Sequence, residues 1–167
     1  MRTIKAMPLS KKAFAPYGEY YSFTKPDRYT EERIIAIGLI ALIDGVSANI
    51  IKEENEGNVD MDWFNINNIP KLAFDHDEIT KVAIHTLRNR IVNTNALKYL
   101  FPSDFTLPEL QKAYEQILNR PLDRRNFRKK FINLDLIEDT GYKNEGFNGR
   151  PAKLYRFKEE LKEKTLF

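Results

Sequence analysis

The fold of this chain is decided by the stretch Thr106-Leu-Pro-Glu-Leu-Gln-Lys-Ala-Tyr-Glu-Gln-Ile-Leu118. Thr106 and Glu109 stand at capping-box spacing, and the proline between them is tolerated in a first helical turn. Apolar residues then recur every three or four positions, which is the helical period. The stretch therefore predicts an amphipathic helix that begins just after Thr106.

A second helix and two strands are predicted after this helix. Asp123 is a suitable N-cap, and a helix over 124–134 would bury Phe127, Phe131 and Leu134 on one stripe. Segments 136–140 and 152–157 are typical of strands, and the loop between them contains three glycines. This order of elements is that of a winged helix-turn-helix. We predict this domain over residues 100–157, with a charged tail at 158–167.

The residues before this domain carry weaker patterns. Ile34–Ile43 is the longest apolar run and predicts a buried strand, covered on both faces. Asp75 and Glu78 stand at capping-box spacing, and a helix is expected from there to about residue 92. Residues 1–30 are broken by prolines and carry no clear pattern. A domain boundary is expected near residues 93–103.

Positive charge is concentrated in two parts of the predicted winged helix. The whole chain has 27 Lys and Arg against 24 Asp and Glu, so a basic surface has to be local. Segment 120–133 has six basic residues against one acidic residue, and segment 143–156 has four against one. The second helix and the loop of a winged helix are the parts that face DNA in such domains.

The residue types in these segments suit contacts with double-stranded DNA. A helix fits the major groove, the guanidinium fork suits guanine or phosphate, and an asparagine side chain can pair with adenine. The predicted DNA-binding residues are Arg124, Arg125, Asn126, Arg128 and Lys129 of the helix, with Arg150 and Lys153 of the loop and the last strand. The sequence leaves open the alternative that this basic helix face contacts only solvent.

Four segments of the chain resemble those of the Nudix-related transcriptional regulators of NAD metabolism. They are Lys71-Leu-Ala-Phe-Asp-His-Asp-Glu-Ile79, Phe105-Thr-Leu-Pro-Glu-Leu-Gln-Lys-Ala-Tyr-Glu115, Leu122-Asp-Arg-Arg-Asn-Phe-Arg-Lys-Lys130 and Gly149-Arg-Pro-Ala-Lys-Leu-Tyr-Arg-Phe157. In that family, a Nudix-fold sensor precedes a winged helix that binds operator DNA, and members respond to ADP-ribose-like compounds. The resemblance implies an α+β chain, with a partial Nudix-like β/α part before the winged helix-turn-helix domain. It also implies an ADP-ribose-like effector.

The sequence lacks the pattern that a Nudix hydrolase needs, which is Gly-x5-Glu-x7-Arg-Glu-U-x-Glu-Glu-x-Gly-U with U aliphatic. That pattern places carboxylates on one helix face to hold Mg²⁺. Neither Glu31-Glu32-Arg33 nor Glu53-Glu54 is embedded in it. Residues 31–95 are therefore expected to be a truncated Nudix-like region without catalysis. His76 and His85 are nine residues apart and face opposite sides of a helix, so no metal site or cofactor is expected.

Two function classes stay open. The first is a DNA-binding transcriptional regulator, with the N-terminal part as an inactive sensor or a dimerisation platform. The second is a Nudix pyrophosphatase that acts on ADP-ribose or nucleoside-diphosphate sugars, or a fragment of one. A homodimer is expected, because the apolar strand leaves an open edge and operators have two half-sites.

Composition excludes several other classes. The chain has no cysteine, which removes disulfides, thiolate metal sites and cysteine nucleophiles. No apolar run approaches the roughly 20 residues of a membrane span. A cytoplasmic protein without a membrane partner is expected.

Overall fold

The computed structural model describes residues 20–42, 64–101, 103–144, 151–158 and 165–167. The chain divides into two compact units, Met1–Leu87 and Arg88–Phe167. The division falls within a long helix, α1, which spans His76–Asn93. The last turns of α1 belong to the second unit, where Ile91 is fully buried.

A two-stranded sheet and the first turns of α1 form the described part of the first unit. Strand β1 (Tyr20–Phe23) pairs antiparallel with β2 (Ala36–Leu39). Gly38 permits a close approach at this point, because a Cβ there would lie 3.3 Å from the Phe23 ring and 3.6 Å from Ile79. Phe23 is buried under this contact.

The prediction for Ile34–Ile43 is wrong in its burial. Strand β2 covers only four residues of the run, and Ile35, Ile37 and Leu39 are each more than half exposed. Alternate residues of a strand point to opposite faces of the sheet. Because the described residues pack against only one face of β2, every second side chain of the strand stays exposed. Residue 43 lies outside the described residues.

The capping box predicted at Asp75 and Glu78 is also wrong. The Asp75 carboxylate accepts hydrogen bonds from the Arg28 guanidinium, and Glu78 accepts one from Lys25 at 2.7 Å. Both carboxylates thus bond to cations far along the chain, and Glu78 N donates to the Asp75 backbone carbonyl at 2.9 Å instead. The predicted helix itself is confirmed as α1.

The second unit has the predicted order of a winged helix-turn-helix. A 3₁₀ helix at Ala96–Leu100 is followed by β3 (Phe105–Thr106), α2 (Leu107–Leu118), α3 (Arg124–Asn133), β4 (Ile137–Lys143) and β5 (Lys153–Phe157). The three strands form one antiparallel sheet in the order β3-β5-β4. The α+β class is therefore confirmed.

The two helix starts in this unit are confirmed at the level of single hydrogen bonds. The Thr106 hydroxyl accepts from Glu109 N, and the Glu109 carboxylate accepts from Thr106 N at 2.7 Å. The Asp123 carboxylate accepts from Asn126 N at 2.8 Å. Helix α3 ends at Asn133, so Leu134 is its half-buried C-cap rather than part of the helix.

The core of the second unit is aromatic and includes the last residues of the chain. The rings of Phe127 and Phe131 lie edge-on to Tyr114, at centroid distances of 5.7 and 5.5 Å. The Phe167 ring stacks on Phe127 at 5.8 Å, and Leu166 beside it is fully buried. Leu166 and Phe167 of the predicted charged tail are thus part of this core.

Neither a membrane span nor a metal cluster is present in the described ranges. None of the helices there combines the length and apolar character that crossing a bilayer requires. No group of three or more His, Asp or Glu side chains there could hold a metal ion.

Candidate nucleic-acid interface

The connection between α2 and α3 is fixed by side chains of α2. Asn119 ends α2 in the left-handed conformation, with φ of 54°. Gln111 Nε2 donates to the Leu122 carbonyl at 2.9 Å, and Leu122 N donates to the Glu115 carboxylate at 2.8 Å. The Gln111 amide and Leu122 N–H hold the pKa of Glu115 below its ordinary value. These bonds set the start of α3 relative to α2.

One face of α3 is buried and the opposite face is exposed. Phe127 and Phe131 are turned into the aromatic core. The five predicted contact residues of the helix are all exposed: Arg124, Arg125, Asn126, Arg128 and Lys129. The spacing of apolar residues in the sequence therefore predicted correctly which face of α3 is buried and which is exposed.

The exposed cations of α3 have no acidic partner within the described part of the chain. The ion pairs there involve Lys and Arg residues of other elements. Lys130 differs from its neighbours, because it is half-buried and its Nζ lies 5.5 Å from the centre of the Phe167 ring. Arg124, Arg125, Arg128 and Lys129 are thus exposed and meet no carboxylate of the described residues.

The β4–β5 hairpin brings further cations towards α3. Lys153 on β5 is the register partner of Lys143 on β4, so both side chains project from the same face of the hairpin. Asp139 raises the pKa of Lys153 by a hydrogen bond and by its charge, whereas the positive charge of Arg128 lowers it. The effect of Arg128 on the pKa of Lys153 is smaller than that of Asp139 or of burial. We name the exposed cations Arg124, Arg125, Arg128, Lys129, Lys143 and Lys153 the basic surface.

Two features of this surface were not predicted from sequence. Lys143 was not among the predicted contacts, although it stands opposite Lys153. Asp139 pairs with Lys153 at 2.6 Å, so one predicted contact residue has an internal partner. The register of β4 on β5 would have revealed both pairs of neighbours. That register shifts between Asp139 and Lys143, so counting residues along the two strands does not predict it. The predicted contact Arg150 lies outside the described residues.

Other cations of the second unit are paired away from α3. Arg156 forms an ion pair with Asp104 at 2.8 Å, and Lys158 forms one with Asp135 at 2.6 Å. Asp104 raises the pKa of Arg156 through a hydrogen bond. Among the described residues of this unit, four exposed cations without an acidic partner thus lie on α3, although segment 143–156 is also basic by composition.

A basic helix with a basic hairpin beside it can bind a polyanion with defined geometry. An α-helix fits the major groove, where arginine forks bind guanine or phosphate and asparagine binds adenine. Lysines beside such a helix can contact backbone phosphates, which carry no sequence information.

Comparison with known proteins supports this assignment. Residues 98–157 match the family model described as the NrtR DNA-binding winged helix domain. Residues 98–157 are therefore similar to that winged-helix domain. The matched range includes α2, and also α3 and the β4–β5 hairpin, which carry the basic surface.

Two relatives, one of them in two crystal structures, extend the similarity beyond this family model. The "ADPR responsive transcriptional repressor NtrR" of Acinetobacter baylyi is 40% identical over 86 residues, which are 52% of this chain and 34% of that protein. The crystal structure of Shewanella oneidensis NrtR matches with a TM-score of 0.67 at 28% identity, and covers 83% of this chain. The same protein complexed with a 27mer DNA matches with a TM-score of 0.66 at 27% identity and covers 82%.

The structural match is not confined to the winged helix. Since it covers more than four fifths of this chain, it takes in residues before position 98 as well. The chain spans only 62% of the Shewanella chain and about a third of the Acinetobacter repressor.

Proposed function

We propose that this chain is a sequence-specific DNA-binding transcriptional regulator that acts in the cytoplasm. The observation that carries the proposal is the exposed face of α3, whose cations have no acidic partner in the described ranges. The similarity to the DNA complex of Shewanella NrtR supports it. The curated Acinetobacter relative is named a repressor, which favours repression over activation here.

The predicted site residues have separate roles in this proposal. Arg124, Arg125, Asn126 and Arg128 read base edges in the major groove. The lysines of the basic surface, Lys129, Lys143 and Lys153, bind backbone phosphates and set the register of α3 on the duplex. Arg150 adds a minor-groove or phosphate contact from the hairpin loop.

Residues 31–95 serve as a catalytically inactive Nudix-like sensor or a dimerisation part in this proposal, with 100–157 as the DNA-binding domain. An ADP-ribose-like compound is the proposed effector, because the Acinetobacter repressor is described as responsive to ADPR. Regulation of NAD or nucleotide-sugar metabolism follows from that effector. A homodimer would present two copies of α3 to a two-fold operator.

Selection of genome fragments by the purified full chain tests this function. Fragments bound with and without ADP-ribose are sequenced, and the enriched duplex is then compared with a scrambled duplex of the same length. We expect one enriched motif with two half-sites, tighter binding to it than to the scrambled duplex, and altered binding with ADP-ribose. Equal binding to both duplexes would contradict sequence-specific recognition.

Hydrolysis of nucleotide sugars is not part of the proposed function. Mg²⁺-dependent release of ribose phosphate from ADP-ribose is measured with the protein after removal of contaminating hydrolases. We expect no turnover, because the sequence lacks the carboxylate pattern that holds Mg²⁺ in a Nudix hydrolase. Turnover that stays with the purified chain would instead favour the pyrophosphatase class.

A further inference from the structure

The basic surface contains one acidic side chain at its hairpin. Asp139 Oδ2 lies 2.6 Å from Lys153 Nζ, and Asp139 Oδ1 accepts a hydrogen bond from Gly141 N at 3.0 Å. Gly141 has φ of 79°, and the strand register shifts at this point. A bulge re-aims side chains and holds them in a defined direction. The backbone of β4 thus fixes a carboxylate next to a proposed phosphate contact.

This ion pair is too exposed to serve mainly in folding. The Lys153 side chain is 54% exposed and that of Asp139 is 38% exposed. Exposed pairs add little to stability, since water screens their attraction and both side chains lose freedom. Because the ion pair costs little free energy to break, Lys153 can exchange Asp139 for another anion.

We propose that Asp139 is a specificity-determining residue, which pairs with the Lys153 ammonium in the free protein and on arbitrary DNA until a phosphate of the specific duplex displaces it. This inference rests on the proposed DNA-binding function. The carboxylate repels phosphates of every sequence and keeps Lys153 from adding affinity for arbitrary DNA. Discrimination is then left to the base contacts of α3.

The test compares Asp139→Asn with a matched control, using the full chain and a duplex of scrambled sequence. The control is Asp135→Asn, which also removes one negative charge from an ion pair. Asp135 pairs with Lys158 at 2.6 Å, beyond the end of β5 that is opposite to Lys153. Asparagine at 139 keeps an acceptor for Gly141 N–H, and the thermal midpoint is expected to stay unchanged. Affinity and its dependence on salt are measured by fluorescence anisotropy.

Asp139→Asn is expected to bind the scrambled duplex about fivefold more tightly, the effect of one unit charge near a phosphate in water. Its slope of log affinity against log salt should steepen by about 0.9, because Lys153 neutralises one more phosphate. Adding Lys153→Ala should remove both changes, and Asp135→Asn should leave affinity unchanged.

Three results would overturn the proposal. They are unchanged binding by Asp139→Asn, a gain that persists in the double variant with Lys153→Ala, and an equal gain in Asp135→Asn. If the wild-type chain binds no duplex at all, the proposed function fails and this inference falls with it. If the wild-type chain binds and only the Asp139 comparison fails, the proposed function stands.

Discussion

Single arginines of α3 carry the largest predicted share of sequence recognition. Arg124→Ala or Arg128→Ala should each weaken binding to the selected duplex by about 1–3 kcal/mol, because each removes a bidentate donor to a base edge. Both side chains are exposed, so circular dichroism spectra and thermal midpoints should match those of the wild type.

Lys81→Ala is the control for these two variants, because it removes one exposed cation from α1 outside the winged helix. Its affinity should equal that of the wild type. Unchanged affinity in both arginine variants would remove these residues from the interface.

The ion pair between Arg28 and Asp75 makes the first unit sensitive to acid. Hydrogen bonding from Arg28 lowers the pKa of Asp75, so the pair contributes stability above the ordinary pKa of about 3.9 and loses it as pH falls through the lower folded value. The free energy of unfolding of wild type minus that of Asp75→Asn should therefore shrink in strong acid. A constant difference from neutral pH into strong acid would contradict this.

Local rules explain why some residues were predicted and others were not. Thr106, Glu109 and Asp123 act on backbone groups within three positions, so sequence spacing alone assigned their hydrogen bonds correctly. Asp75 bonds to a residue 47 positions away, and Asp139 to one 14 positions away. Long-range partners of this kind depend on tertiary placement, which spacing along the chain does not encode.

At the level of elements, α3 is supported by the last residues of the chain. Leu166 N donates to the Val92 carbonyl near the end of α1, and the Phe167 ring lies against Tyr114 and Phe127. Sequence indicated only a charged tail over 158–167, because its three apolar residues, Leu161, Leu166 and Phe167, form no helical period. The helices with four or more periodic apolar positions were predicted with nearly correct bounds.

Phe167→Ala should destabilise the full chain by about 3 kcal/mol, the low end of the cost for a buried phenylalanine, since Phe167 is only partly buried. Phe167→Leu should lose less, because leucine retains apolar contact. Tyr142→Ala is the control, as Tyr142 is 72% exposed and its removal should change little. Denaturant unfolding followed by circular dichroism measures all three, and equal stability of Phe167→Ala and wild type would contradict the packing role.

At the scale of the whole molecule, the pattern of apolar and capping residues predicted the winged helix more completely than the structure of the residues that precede it. Capped amphipathic helices leave strong periodic signals, and residues 100–157 contain two of them. Strand β2 leaves an ambiguous signal, because a run such as Ile34–Ile43 is apolar whether one or both faces are covered. The predicted Nudix-like part therefore stays a proposal, supported by the extent of the structural match with Shewanella NrtR.

The central claim is that cations of α3 and of the β4–β5 hairpin form one surface that binds a DNA duplex. Its most direct test is the affinity of the full chain for the selected duplex over a series of salt concentrations, for wild type and for Arg124→Ala/Arg128→Ala. Log affinity of the wild type should fall with log salt by about 0.9 per phosphate contacted, and the double variant should bind more weakly. Affinity that is independent of salt, or identical in the two proteins, would contradict the claim.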